Sequence, residues 1–152
     1  MALEWTVTNS HFGLKIDGIT GSGDLGRFQK VSGLGVKMET EPVTEGGQNQ
    51  YVHQLPGRLK WNDLEFERGV VSTDKLFDWL MASSGDGFGS AGNHVVRHTG
   101  TITMYSADGK PLRKWNFSGG MPVGWTGPSF DADGDTIITE KLTLAHDGLV
   151  PA

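Results

Sequence analysis

The chain has 152 residues, a formal net charge of −5 and no cysteine; that length suits one domain, residues 1–152, with a core that needs no staples, and it leaves no disulfide or thiolate metal site. An acidic balance without clustered Lys and Arg argues against a nucleic-acid grip. The N-terminal MALEWTVTNSHFG lacks the regions of a Sec-type signal peptide and no apolar run reaches ~18 residues, so synthesis in the cytoplasm without membrane insertion is expected.

Twenty-three glycines and little helical periodicity read as a turn-rich β protein. Phe12, Leu14 and Ile16 alternate with Gly13, Lys15 and Asp17, the pattern of a half-buried strand. After the glycine-rich GITGSGDLG, Phe28 and Val31 mark one strand and Val36 and Met38 a later one, with a bend at Gly33 and Gly35. From Arg58, Leu59 and Trp61 share a face; Leu64 and Phe66 follow after a phase change at Asn62–Asp63. STDKLFDWLMASSGDG predicts a helix capped by Ser72 or Thr73, with Asp74 in its first turn, an apolar stripe of Leu76, Phe77, Leu80 and Met81, and a stop at Gly85. Ile102 and Met104 alternate with Thr101, Thr103 and Tyr105, Asp108-Gly109 predicts a hairpin turn, and Leu112, Trp115 and Phe117 return. MPVGWTGPSFDADGD reads as loop or broken strand. In the final TIITEKLTLAHDGL, Ile138, Glu140, Leu142 and Leu144 share one parity.

The apparent chemical motifs fail on context. Gly21, Gly23 and Gly26 fit G-x-G-x-x-G, but strand-like sequence follows where a dinucleotide fingerprint needs a helix. Asp131–Asp135 resembles a calcium loop, yet the positions that need glycine and an acid hold Thr136 and Leu142. His94 and His98 would meet on a helix, but on a strand their side chains stand ~13 Å apart. Glu39 and Glu41 could imitate a carboxylate dyad, as any acidic strand can. There is no nucleophile elbow and no phosphate loop. No enzyme, cofactor or metal site is expected.

Three segments, GRFQKVSGL, EGGQNQYVHQLPGRLKWNDLEFERG and EKLTLAHDGL, together resemble the tail-tube protein family of contractile phage tails and phage-tail-like injection particles. The matching residues are Phe28, Val31–Leu34, Glu45–Gly47, Asn49, Leu55–Gly57, Lys60, Arg68, Gly69, Trp79, Asp108–Pro111, Arg113, Trp115, Leu142 and Leu144–Leu149. The resemblance implies a mainly β fold: a small barrel or sandwich with one flanking helix and a long extended arm loop, shared with the type VI secretion ring protein. It implies a homo-hexamer stacked into a hollow inner tube, with a contractile sheath protein, baseplate, spike and tube-initiator proteins as partners. Cargo effector or DNA would pass through the lumen.

In that setting Thr44–Leu55 becomes an arm laid on a neighbouring copy. Gly46 and Gly47 give turning freedom; Glu45, Gln48, Asn49 and Gln50 give polar contacts and Tyr51 an anchor. Leu55, Pro56 and Gly57 turn the chain back to its own sheet. Leu64, Phe66, Leu142 and Leu144 would face the core; Thr101, Thr103, Thr139, Lys141 and Thr143 are the candidate lining of the lumen. Two alternatives stay open: a tube-initiator or baseplate paralogue, and a monomeric β-sandwich carbohydrate binder using Trp115 and Trp125 as stacking platforms.

Overall fold

Alternation in FGLKI, LEFER and EKLTL puts every second side chain on one side of a pleat. Those side chains are the ones that lose all contact with solvent: Leu14, Ile16, Leu64, Phe66, Leu142 and Leu144 are at 0% exposure. The computed structural model describes residues 11–19, 25–47, 49–69, 75–83, 96–128, 133–134 and 138–152. Within them run β1 (His11–Ile16), β2 (Arg27–Phe28), β3 (Lys30–Ser32), β4 (Val36–Val43), β5 (His53–Trp61), β6 (Leu64–Gly69), α1 (Lys75–Ala82), β7 (His98–Tyr105), β8 (Pro111–Thr126), β9 (Thr139–Ala145) and β10 (Gly148–Pro151). Among the described residues the fold is mainly β with one helix, as expected.

One hydrogen-bonded path runs β2-β1-β7-β8-β9-β6-β3, with β10 also on β8. All its pairings are antiparallel. Its two end strands, β2 and β3, are separated in the chain by Gln29 alone, whose N–H donates to Glu67 O at 2.9 Å. The sheet therefore wraps around a single core, in which the Phe28 and Phe66 rings meet edge to face at 5.3 Å. Each such buried side chain contributes ~1.5–3 kcal/mol.

The stretch from Met121, read as loop or broken strand, is a broken strand. β8 continues to Thr126, paired first with β7 and then with β9, with a register shift between Pro122 and Gly124. At the change of partner Gly119 has φ +64°, and Phe117 packs against the bare α-carbons of Gly100 and Gly120, where an added Cβ would lie 2.4 Å from its ring. The Asp108-Gly109 turn joins β7 to β8 as expected, with Gly109 at φ +79° and Ser106 N–H bonded to Lys110 O. The C-terminal segment is two strands, not one: His146 and Asp147 interrupt it between β9 and β10.

The helix turns a different face inward from the one expected. Leu76 and Trp79 are buried, whereas Phe77 and Met81 are exposed at 42% and 50%. Trp79, three residues beyond Leu76, sits one turn along the same face; the large indole displaces the expected stripe by part of a turn and meets the His98 ring at 6.1 Å. The expected cap residues Ser72, Thr73 and Asp74 and the stop at Gly85 lie outside the described residues, as do Gly21, Gly23, His94, Asp131 and Asp135. Gly26 leads into strand β2 rather than a helix.

The inward parity of β6 and β9 ends in a charge pair. Arg68 and Glu140 are register partners, 2% and 8% exposed, with Arg68 Nε donating to Glu140 Oε1 at 2.6 Å. Arg68 Nη1 also donates to Leu25 O at 3.1 Å, the guanidinium lies over the Phe28 ring, and Trp125 Nε1 donates to Glu140 Oε2 at 3.2 Å. Here a buried charge is tolerated because its partner and its hydrogen bonds are buried with it.

Candidate functional site: a projecting hairpin

β4 and β5 pair only with each other, as a separate two-stranded sheet. All of β4 is exposed, and all of β5 up to Lys60. The projecting element is thus the hairpin Val36–Trp61, longer than the expected arm at Thr44–Leu55: two strands flank residues 44–52, which belong to neither. Pro56 and Gly57 correct the expectation most sharply: they are not a turn but lie inside β5, Pro56 opposite Thr40. The register shifts between Met38 and Thr40, and a Cβ on Gly57 would stand 2.6 Å from Glu39 O. The extra residue is on β5, where Gly57 and Arg58 face the single Glu39, and Pro56, which has no N–H to give a ladder, is accommodated beside that bulge.

Below the bulge the hairpin has two unlike faces. Val36 pairs with Trp61 and Met38 with Leu59, an apolar face whose Val36, Met38 and Leu59 are each about half exposed; Lys37 pairs with Lys60 on the other face. Two like charges directly opposite disfavour the pair, so the hairpin's own contacts do not account for either face. Above the bulge stand Glu45, Gly46, Gly47, Asn49, Gln50, Tyr51 and Leu55, all exposed; Gln48 lies outside the described residues. Gly47 has φ +90°, Tyr51 packs edge to face on His53, His53 Nε2 lies 3.7 Å from Glu45, and Thr40 bonds Gln54.

The hairpin base is fixed to the body by residues that the sequence showed only as a motif. Trp61 meets the His146 ring at 5.7 Å and lies 3.6 Å from where a Gly148 Cβ would be. His146 Nε2 donates to Asn62 O at 2.9 Å, and Asn62 N–H donates to Gly35 O. Asp147 takes Arg97 Nη1 at 3.1 Å and lies against Gly119, while its N–H bonds Ser118 O. The Ala-His-Asp-Gly run therefore ties the β8 bend to the hairpin base. Replacing Trp61 by Ala should leave the body folded but free the hairpin: limited proteolysis is expected to cut between Gly35 and Asp63 faster than in the parent, with the body fragment surviving. The opposite side of the base is sealed by Gly33, at φ +86° with its α-carbon against Asp63 O; an added Cβ would lie 1.9 Å away. Gly33→Ala is expected to cost roughly 1–3 kcal/mol, read as a lower Tm.

The candidate lumen residues fall on two surfaces. Thr101 and Thr103 lie on the non-core face of β7, where the register places Lys15, Thr101 and Asn116 in one row and Thr103 beside Lys114. Lys15, Thr101, Thr103, Tyr105, Lys114 and Asn116 line an open polar trough there. Thr103 itself is only 6% exposed. Thr139, Lys141 and Thr143 are on β9, where Lys30, Glu67 and Lys141 form one row and Ser32, Glu65 and Thr143 the next. β8, bent at Gly119, stands between the two sets. Trp115 and Trp125 are both packed partly buried against the core rather than displayed as stacking platforms.

Among the described residues no group of three or more His, Asp or Glu could hold a metal, and no helix is long and apolar enough to cross a membrane. Comparison with known proteins matches residues 8–150 to the T4-like virus tail tube protein gp19 family. Among solved structures, a chain of the PVC sheath-tube complex, an extracellular contractile injection system in its extended state, is 26% identical. It covers 99% of this chain and 93% of that one, with a TM-score of 0.78. A chain of the PVC sheath/tube terminator in the extended state is 27% identical with 99% of both chains covered and the same TM-score. A type six secretion system protein, 11% identical at a TM-score of 0.58 with 91% and 80% coverage, shares the fold. No curated protein matches significantly. A family match over residues 8–150, nearly the whole chain, makes this protein a member of the T4-like virus tail tube protein gp19 family.

Proposed function

We propose that the chain, acting as one domain, is the repeating structural subunit of the inner tube of a contractile injection system. Copies join into hexameric rings, rings stack, and the lumen passes cargo or nucleic acid; a surrounding sheath supplies the work, and a baseplate and initiator set the start. The protein performs no chemistry itself. The observation that carries this reading is the hairpin Val36–Trp61. It projects from a filled barrel with Val36, Met38, Tyr51, Val52, Leu55 and Leu59 all exposed. A two-stranded hairpin is at best marginally stable alone, and exposed apolar surface of this extent marks an interaction site. Glu45–Leu55 then provide contacts on a neighbouring copy. The polar rows of β7 and β9 are candidates for the lumen, where hydroxyls and an amide among lysines and glutamates would give a hydrophilic lining over which a cargo slides.

Sedimentation of the purified chain over a wide concentration range, with negative-stain images of the fast fraction, tests the reading. Rings or stacked tubes are expected. A compact monomer at every concentration, also absent from sheathed particles, would contradict it. The likeness to a sheath/tube terminator chain, as high as that to the sheath-tube complex, supports a second reading in which the chain forms one specialised end ring. Single rings that never stack would favour it.

A further inference from the structure

The hairpin's apolar face lies open to a partner, and among the described residues the body carries an apolar strip outside the hairpin. On α1, Phe77 and Met81 are one turn apart and exposed at 42% and 50%, and the Phe77 ring meets the part-buried Trp125 of β8 edge to face at 5.4 Å. The other exposed apolar residues of the body, such as Ile19, Leu112 and Val150, stand singly on separate elements, which is ordinary for a soluble surface. The strip is not explained by the core alone: Trp79 and Leu76 fill the inner side of the helix, and Phe77 and Met81 lie outside it.

We infer that the Phe77–Met81–Trp125 strip receives the Val36–Met38–Leu59 face of a hairpin from a second copy of this chain. Three observations choose that occupant. The chain belongs to a tube family, in which the partner present in greatest number is another copy. The two apolar surfaces differ and sit on different elements, the condition for a head-to-tail contact that can close a ring or extend a stack. The hairpin from Val36 to Trp61 is about as long as the ~20–30 residues per side used by a standard protein interface. With the apolar face docked, Lys37 and Lys60 turn outward, where water relieves their mutual repulsion. Phe77 and Met81 thereby act as the contact that a projecting hairpin needs on its neighbour.

This inference rests on the tube reading, and its test separates the two. The chain has no cysteine, so introduced thiols report without background. Met38→Cys chains are mixed with Met81→Cys chains, assembled, and treated with a short thiol-to-thiol linker. A second mixture pairs Met38→Cys with Leu112→Cys, an exposed site off the strip. Strong cross-linking in the first mixture and its loss in the second is the expected result, and Met81→Asp should remove assembly with little change in Tm. Tubes that form with equal cross-linking in both mixtures overturn the docking site while leaving the tube reading in place. So does a sheath protein captured at Met81→Cys in place of the hairpin. Chains that never assemble, cysteine variants and parent alike, overturn both.

Discussion

A variant in which Lys37–Lys60 is replaced by an Asn-Gly turn is expected to fold with a Tm close to that of the parent and to remain monomeric where the parent forms tubes. Val36 and Trp61 are Cα partners across the hairpin, so a two-residue turn can join them in the geometry that Asn-Gly favours. Trp61 keeps its contact with His146, and the base keeps its bonds at Gly35 and Asn62. What is lost touches little of the body: β4 and the removed part of β5 are exposed throughout. The fold should therefore be nearly indifferent to the change, while assembly loses its largest projecting surface. Thermal unfolding and sedimentation of the same sample check both halves. A variant that assembles as the parent does would show that the hairpin is dispensable; one that fails to fold would show that it is part of the body.

Arg68→Ala is expected to destabilise the barrel as strongly as truncation of a large core side chain. It leaves the Glu140 carboxylate buried with only Trp125 Nε1 as a described partner and strips Leu25 O of its donor. Breaking a buried pair from one side costs ~3–5 kcal/mol, and at ~2–4 °C per kcal/mol for a chain of this size the Tm should fall by roughly 10 °C. The pair itself is a weaker contributor than that loss suggests, because much of the loss is the stranded charge. The double variant Arg68→Met with Glu140→Gln keeps an acceptor for Trp125 and removes both charges, leaving Leu25 O as the one group that loses its donor. It should recover most of the lost stability. Equal thermal stability of Arg68→Ala and the parent would refute this account of the barrel end.

How much of this was legible beforehand differs by element. The strands of the barrel were, because one face is buried and a period of two follows directly: Leu14 with Ile16, Leu64 with Phe66, Leu142 with Leu144. Glu140 shared that inward parity in plain view, yet its partner could not be named, since Arg68 ends a strand seventy-two positions away and looks like any surface arginine. The helix face was missed because Phe77 and Met81 are as apolar as the residues that are buried, and periodicity cannot tell a core stripe from an interface stripe. The hairpin was seen only in its tip. Gly46-Gly47 and the amides after it announced a turn, but the flanking strands do not alternate against a core of their own, and Pro56-Gly57 carries the signature of a turn while serving a bulge. His146 and Asp147 were visible as part of a motif without a reason. The reason lies across the chain, at Asn62, Trp61 and Gly119.

The claim that most depends on assembly is that Val36–Trp61 is left incomplete in one copy and is completed by another. Hydrogen exchange of its backbone amides, measured on dispersed chains and on assembled tubes, tests this directly. The account predicts rapid exchange across the hairpin in dispersed chains, slow exchange of β6 and β9 in both states, and strong protection of the hairpin on assembly. A hairpin already protected in the dispersed chain, or one still exchanging freely within a formed tube, would contradict it.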